Sequence, residues 1–333
     1  MEIMSKQLVV VFGGGGYVGS VLVPMLLKEN YKVTVYDTFW YGKDVFADYK
    51  NNVDLELIQG DVRDIHSVSL ALKNANKVIH LACISNDPSF DLDPKLGRSI
   101  NLDSFTPLVN SAKDLGIDHF IYASSSSVYG IKQEDKVSEE LSLEPLTDYS
   151  RFKMICEEII LERQSPDFVC TVLRPATVCG VSPRQRFDLS VNILTNHAVN
   201  LGKITVFGGS QSRPNLDIRD MARAYLYTLK YKNQVVGETF NVGGENLTLN
   251  KIAEKVKNIT GENTEIQHKV TDDLRSYRVD SSKIFSKIGF KPSCTIDDSI
   301  NQLVVAFNKG EFKNSLENSM YFNIKRMKEL SLA

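Results

Sequence analysis

Apolar runs alternate with stretches of helical periodicity through the first half of the chain. Leu8 to Phe12 is an unbroken apolar, β-branched run, as expected of a strand buried on both faces. Val18, Val21, Leu22, Met25 and Leu26 then recur at helical spacing, with Pro24 inside the run predicting a kink. "YKVTVYD" (31–37), "VDLELIQGD" (53–61), "KVIHLAC" (77–83), "HFIYASS" (119–125) and "FVCTVLRPATV" (168–178) read as further strands separated by helical segments. This order predicts an α/β fold, a doubly wound parallel sheet with helices on both faces. Beyond residue 180 the pattern loosens. "GVSPRQRFDLSVN" is turn-rich, "ETFNVGG" reads as a strand returning to the sheet, and residues 246–307 suit a smaller lobe of two helices and a strand. The tail from 308 is polar and reads as peripheral.

Ligands of such sheets bind at the carboxyl ends of the strands, where the polar residues with chemistry fall. Gly13 to Gly16 join the first strand to its helix, and the spacings Gly14-x-Gly16-x-x-Gly19 and Gly13-x-x-Gly16-x-x-Gly19 both fit a phosphate turn. Glycine permits the tight turn and the close approach of backbone to a pyrophosphate, and the helix N-terminus attracts the anion. Asp37 ends the second strand, 21 residues after Gly16. A carboxylate there accepts from the adenosine ribose hydroxyls and repels a 2′-phosphate, which favours NAD over NADP. Asp61 suits either the adenine or an N-cap for "IHSVSLALKN".

"TDYSRFKMICEE" sets Tyr149 and Lys153 at i and i+4, one turn apart on one helix face. A free phenol, with a pKa of about 10, is too weakly acidic to serve as a base at neutral pH. A neighbouring ammonium and the positive ring of an oxidised nicotinamide favour its phenolate. In "YASSSSVYG", at a strand end, Ser125 is placed to hydrogen-bond a substrate oxygen passing between hydroxyl and carbonyl. Ser126 and Ser127 would line the pocket, although turn or cap roles suit them as well.

Composition removes other classes. A formal net charge of −2 and the lack of a basic block give no case for nucleic acid. No apolar run approaches the length of a membrane span, and "MEIMSKQ" lacks the regions of a signal peptide, so a cytoplasmic protein is expected. Cys83, Cys156, Cys170, Cys179 and Cys294 have no metal-ligand spacing and read as buried thiols; no metal is expected.

From Leu8 to about Phe290 the chain resembles the extended short-chain dehydrogenase/reductases, the NAD-dependent epimerase/dehydratase family of nucleotide-sugar enzymes. The resemblance is carried by "GGGGYVGS", "GDVRD", "HLAC", "INLDSF", "ASSSSVYG", "YSRFK", "LRPATVCG", "RPNLDIRDMARAY" and "FNVGG". It implies a Rossmann domain of residues 5–180 with 204–244 and a nucleotide-sugar lobe of 181–203 with 245–333. It implies Ser125, Tyr149 and Lys153 as a catalytic triad, with Tyr149 and Lys153 also touching the cofactor. Gly13, Gly16, Tyr17, Val18 and Gly19 would meet the pyrophosphate of NAD, and Asp37, Asp61 and Val62 its adenosine. Leu81, Ala82, Cys83, Asn101, Ser124 and Pro175 would lie near the ribose and nicotinamide. For the nucleotide sugar it implies Asn192, Arg213 and Arg275, the arginines through their bidentate fork, besides Ser126 and Ser127. A homodimer or homotetramer follows from the same resemblance.

Departures narrow the reaction. Members that eliminate water carry Thr-Asp-Glu before "VYG", whereas Ser125-Ser126-Ser127 offers no carboxyl, which argues against 4,6-dehydration. "SSSSVYG" has no cysteine for the acid/base pair of the GDP-fucose reductase-epimerases. What remains is hydride removal at a sugar C4 hydroxyl. The block "CGVSPRQRFDLSVN" followed by "GKITVFGGSQSRPN" looks closer to bacterial capsule and surface-sugar enzymes than to galactose epimerases, and among these most like the GDP-heptose 4-dehydrogenases. The first expectation is therefore oxidation of a GDP-linked hexose or heptose to a 4-keto sugar. The alternative is a 4-epimerase that returns the hydride. A non-catalytic NAD-binding regulator would not be expected to carry the Tyr-x-x-x-Lys pair.

Overall fold

The computed structural model describes residues 6–271 and 276–330. Twelve strands are defined among them: β1 (Leu8–Phe12), β2 (Lys32–Asp37), β3 (Leu55–Gln59), β4 (Lys77–His80), β5 (His119–Ala123), β6 (Val169–Pro175), β7 (Thr177–Cys179), β8 (Lys203–Phe207), β9 (Ser212–Asp217), β10 (Glu238–Val242), β11 (Glu245–Thr248) and β12 (Glu265–Lys269). Seven form one sheet in the order β10-β6-β5-β4-β1-β2-β3, parallel throughout. This is a Rossmann-type sheet, and its order reverses at β1, which lies between β2 and β4. The crevice that accepts a ligand opens at that point, beyond the carboxyl ends of β1 and β4.

Alternation along the strands explains the two covering layers. Val10, Phe12, Val78, Phe120 and Val172 pack on one face with Val68, Leu108 and Ile160 of three helices, Ile65–Leu72, Phe105–Asp114 and Asp148–Glu162. Val9, Val11, Val35, Ile79, Ile121 and Leu173 pack on the other with Leu22, Leu26, Met221 and Tyr225 of the helices Gly19–Lys28 and Ile218–Lys230. The first of these continues through Pro24 as a single α-helix. Asp64, not Asp61, caps Ile65–Leu72, accepting from the Ser67 N–H.

The smaller lobe holds three helices, Ser190–Leu201, Leu249–Thr260 and Ile296–Asn308, around Ile204, Ile252 and Ile300, with the parallel pair β8–β12 at its edge. Residues 246–307 hold more helix than their pattern suggests, because a third helix, Ser282–Ile288, packs Ile284 and Ile288 against the large sheet rather than in this lobe. The tail is not peripheral. Phe312 and Tyr321 close an aromatic cluster with Phe187 and Phe307, and Met327 is buried in the core of the large domain. Among the described residues no helix is long and apolar enough to cross a membrane.

Two histidines are buried in the large sheet. His80 lies among the rings of Phe12, Phe105 and Tyr122, and His119 meets Thr171 Oγ1 at 3.0 Å. Burial, with a nearby lysine, lowers both pKa values to about 3. The unfolded chain therefore binds more protons than the folded one between about pH 6.5 and 3, so stability falls as the solution is acidified through that window. Each histidine is expected to cost about 2 kcal/mol at pH 5 relative to neutral pH. Urea unfolding at pH 7 and pH 5 measures this, and a His119→Gln variant should lose its share of the difference.

Candidate active site

The glycine turn follows from its neighbours. Gly13 has φ +77°, and a Cβ on it would stand 2.5 Å from the Ala82 backbone nitrogen. A Cβ on Gly19 would stand 2.4 Å from the Gly14 carbonyl oxygen. Neither position accepts a side chain, so β1, β4 and the helix Gly19–Lys28 approach to backbone contact. The turn forms the floor of a cavity of about 600 Å³ at the crevice.

Most residues singled out from the sequence line that one cavity. Gly13, Gly16, Tyr17, Val18 and Gly19 form one wall, with Asp37, Asp61 and Val62 at the ends of β2 and β3. Leu81, Ala82 and Cys83 follow β4, Ser124 to Ser127 follow β5, and Tyr149, Lys153, Pro175 and Arg213 complete the wall. Cys83 and Cys294 are half-buried, so the expectation of five buried thiols holds only for Cys156, Cys170 and Cys179.

Asp37 accepts from the Gly15 N–H at 2.9 Å and the Phe39 N–H at 2.8 Å. Its pKa nevertheless lies above the ordinary carboxylate value, because burial outweighs those bonds. Burial acts on Asp61 in the same sense, but the Arg63 guanidinium and N–H prevail and hold it below that value.

Helix Asp148–Glu162 starts at a capping box in which Thr147 and Ser150 bond reciprocally, and this fixes the phase of Tyr149 and Lys153. The buried Lys153 ammonium donates to the Ala123 carbonyl at 2.6 Å and lies 5.9 Å from the centre of the Tyr149 ring. Ser125 Oγ accepts from the N–H and hydroxyl of Ser127 at 3.1 and 2.9 Å. Burial raises the Tyr149 pKa well above 10, aided by Cys83 and Asp87 and opposed by Arg186 and the Ser125 hydroxyl. As it stands the phenol is protonated at neutral pH.

Two assigned residues stand behind the cavity wall. Asn101 bonds both backbone groups of Ile84, at 2.8 and 2.9 Å, and so holds the loop after β4. Asn192 is fully buried, with its amide on the Gly180 N–H, the Tyr17 hydroxyl and the Arg186 carbonyl. Its side chain fixes a loop and does not line the cavity. The Tyr17 hydroxyl is likewise committed, donating to the Gly180 carbonyl at 2.7 Å. Arg275 lies outside the described residues.

Other wall residues carry no motif. Trp40 and Tyr41 follow β2, Arg184 and Arg186 come from the turn-rich segment, and Asn323 and Met327 from the tail. Their only warning in the sequence is the pair of arginines in "SPRQRFD", a weak signal in a loop.

The family model described as "NAD dependent epimerase/dehydratase family" matches residues 9–243. The chain belongs to this family. A UDP-glucose 4-epimerase from Lactobacillus helveticus is 28% identical over 317 residues, covering 88% of this chain and 94% of that protein. The structure of a UDP-N-acetylglucosamine 4-epimerase from Methanobrevibacter ruminantium, solved with UDP-N-acetylmuramic acid, aligns at a TM-score of 0.83 and 25% identity, over 92% of this chain and all of that one. A UDP-glucuronic acid 4-epimerase from Bacillus cereus, solved with UDP-glucuronic acid and NAD, gives a TM-score of 0.83 and 25% identity over 91% of this chain and 99% of that one. The chain is thus an NAD-dependent enzyme of the nucleotide-sugar epimerase/dehydratase type. The residues present fit that cofactor: Gly16 keeps the crevice floor clear, and Asp37 stands at the end of β2.

Proposed function

We propose that this enzyme is a nucleotide-sugar 4-epimerase acting on a UDP-linked sugar by reversible oxidation at C4. The observation that carries the proposal is the convergence of Tyr149, Lys153 and Ser125 on the cavity that holds the glycine turn. Gly13, Gly16 and Gly19 would seat the diphosphate of NAD, and Asp37 its adenosine ribose. When bound, NAD would supply the hydride acceptor for C4 and the donor for its return to the opposite face once the keto sugar has turned. Tyr149 removes the C4 hydroxyl proton and later returns it, Lys153 stabilises the phenolate, and Ser125 holds the oxygen while it is a carbonyl. No carboxyl stands at Ser126 or Ser127 to drive elimination. Arg213, on the cavity wall, would face the sugar diphosphate.

The sequence alone inclines toward net oxidation of a GDP-linked hexose or heptose, with the same residues and the hydride not returned. The epimerases among the relatives favour its return, and their names favour UDP. The deciding experiment supplies UDP-, GDP-, dTDP- and CDP-sugars deuterated at C4. Inversion at C4 by NMR, with deuterium retained and no net reduced NAD, is the expected result. A 4-keto product with equivalent reduced NAD would make the enzyme a dehydrogenase instead. Silence with every sugar would end both readings.

A further inference from the structure

Three guanidinium nitrogens on the cavity wall are buried without a hydrogen-bond partner: Nε and Nη1 of Arg184 and Nη2 of Arg186. Both side chains are more than nine-tenths buried. A guanidinium has only donors, so an orphaned face demands an acceptor, and an anion answers it best.

The remaining contacts aim these faces. The Arg184 guanidinium lies 3.6 Å from the centre of the Tyr41 ring, and its Nη2 donates to Asn323 Oδ1. Asn323 also accepts from the Tyr41 hydroxyl at 2.9 Å and donates to Ser85 Oγ at 3.0 Å. Arg186 is held by Asp188 through Nε and by Ser85 through Nη1. One tail residue thus ties the ends of β2 and β4 to the arginine loop.

That loop is fastened to the glycine turn. Ser182 Oγ donates to the Tyr17 carbonyl at 2.7 Å, and the Arg184 N–H donates to Ser20 Oγ at 3.3 Å. Asp37 is close enough for the Arg184 charge to act on it. The orphaned donors therefore stand at the dinucleotide end of the cavity.

We propose that Arg184 and Arg186 clamp the diphosphate of NAD beside the glycine turn, with Asn323 positioning Arg184. The proposal rests on NAD as the cofactor but not on the fate of the hydride. The chemistry recognised is a diphosphate, which the cofactor and the nucleotide sugar both carry. Calorimetry on nucleotide-stripped enzyme separates them, with ADP-ribose, adenosine and UDP as probes. Arg184→Met is expected to weaken ADP-ribose binding by about tenfold or more, with adenosine and UDP within about twofold. Unchanged ADP-ribose binding overturns the proposal, and so does a loss confined to UDP. If the Met variant does not fold, Arg184→Lys and Asn323→Ala carry the test. Each must lower ADP-ribose affinity relative to adenosine, and an unchanged ratio overturns the proposal equally.

Discussion

Tyr149→Phe is expected to lower turnover by about two to four orders of magnitude while NAD binding is retained. The substitution removes one oxygen and keeps the ring, so the packing of helix Asp148–Glu162 on the cavity is undisturbed. The deleted atom is the only group near the reacting carbon proposed to accept its hydroxyl proton. The pH profile gives an independent check. Burial holds the phenol protonated in the protein alone, and activity depends on the phenolate, so kcat/KM should rise with pH up to the phenol's apparent pKa. Positive charge nearby moves that limb to lower pH. Lys153→Met removes one such charge, and its limb should lie at higher pH than that of the parent enzyme. Full activity in Tyr149→Phe, or an unshifted limb in Lys153→Met, would take the pair out of the mechanism.

The legible part of this protein is the part written in short-range pattern. The sheet follows from buried apolar runs and the crevice from a glycine turn between a strand and a helix, where the fold presses Gly13 and Gly19 against backbone. Tyr149 and Lys153 are legible because i and i+4 share a helix face whatever surrounds them. The family resemblance implies Asn192 as a substrate ligand, yet three-dimensional packing spends its amide on Gly180, Tyr17 and Arg186. The tail fails in the opposite sense. It is polar in composition, and its contacts with Trp40, Tyr41 and Ser85 join residues far apart along the chain, as when Arg326 Nε donates to the Trp40 carbonyl at 2.6 Å. No local periodicity encodes such a closure.

Glu157→Ala is expected to cost about 3–5 kcal/mol of folding stability, because it strands a buried guanidinium. Glu157 lies one turn beyond Lys153 on the same helix and is 3% exposed. Its carboxylate accepts Arg174 Nε at 3.1 Å through both oxygens, Nη2 at 2.6 Å and the Ser124 hydroxyl. Arg174 passes the network on, donating to the Tyr129 hydroxyl at 2.8 Å, which donates in turn to Asn241 Oδ1 at 2.8 Å. The network thus lies directly behind Ser125 and the Ala123 carbonyl that holds Lys153. A buried ion pair is not stabilising merely by being present, since desolvation offsets much of its attraction; breaking one half of it is what costs. The double replacement Glu157→Leu with Arg174→Met should therefore be markedly more stable than Glu157→Ala in guanidinium unfolding. Equal losses in the two variants would mean that the penalty comes from the cavity left behind rather than from the unpaired charge. Turnover in the double variant should still fall, because Ser124 then loses the acceptor that fixes the strand end from which Ser125 projects.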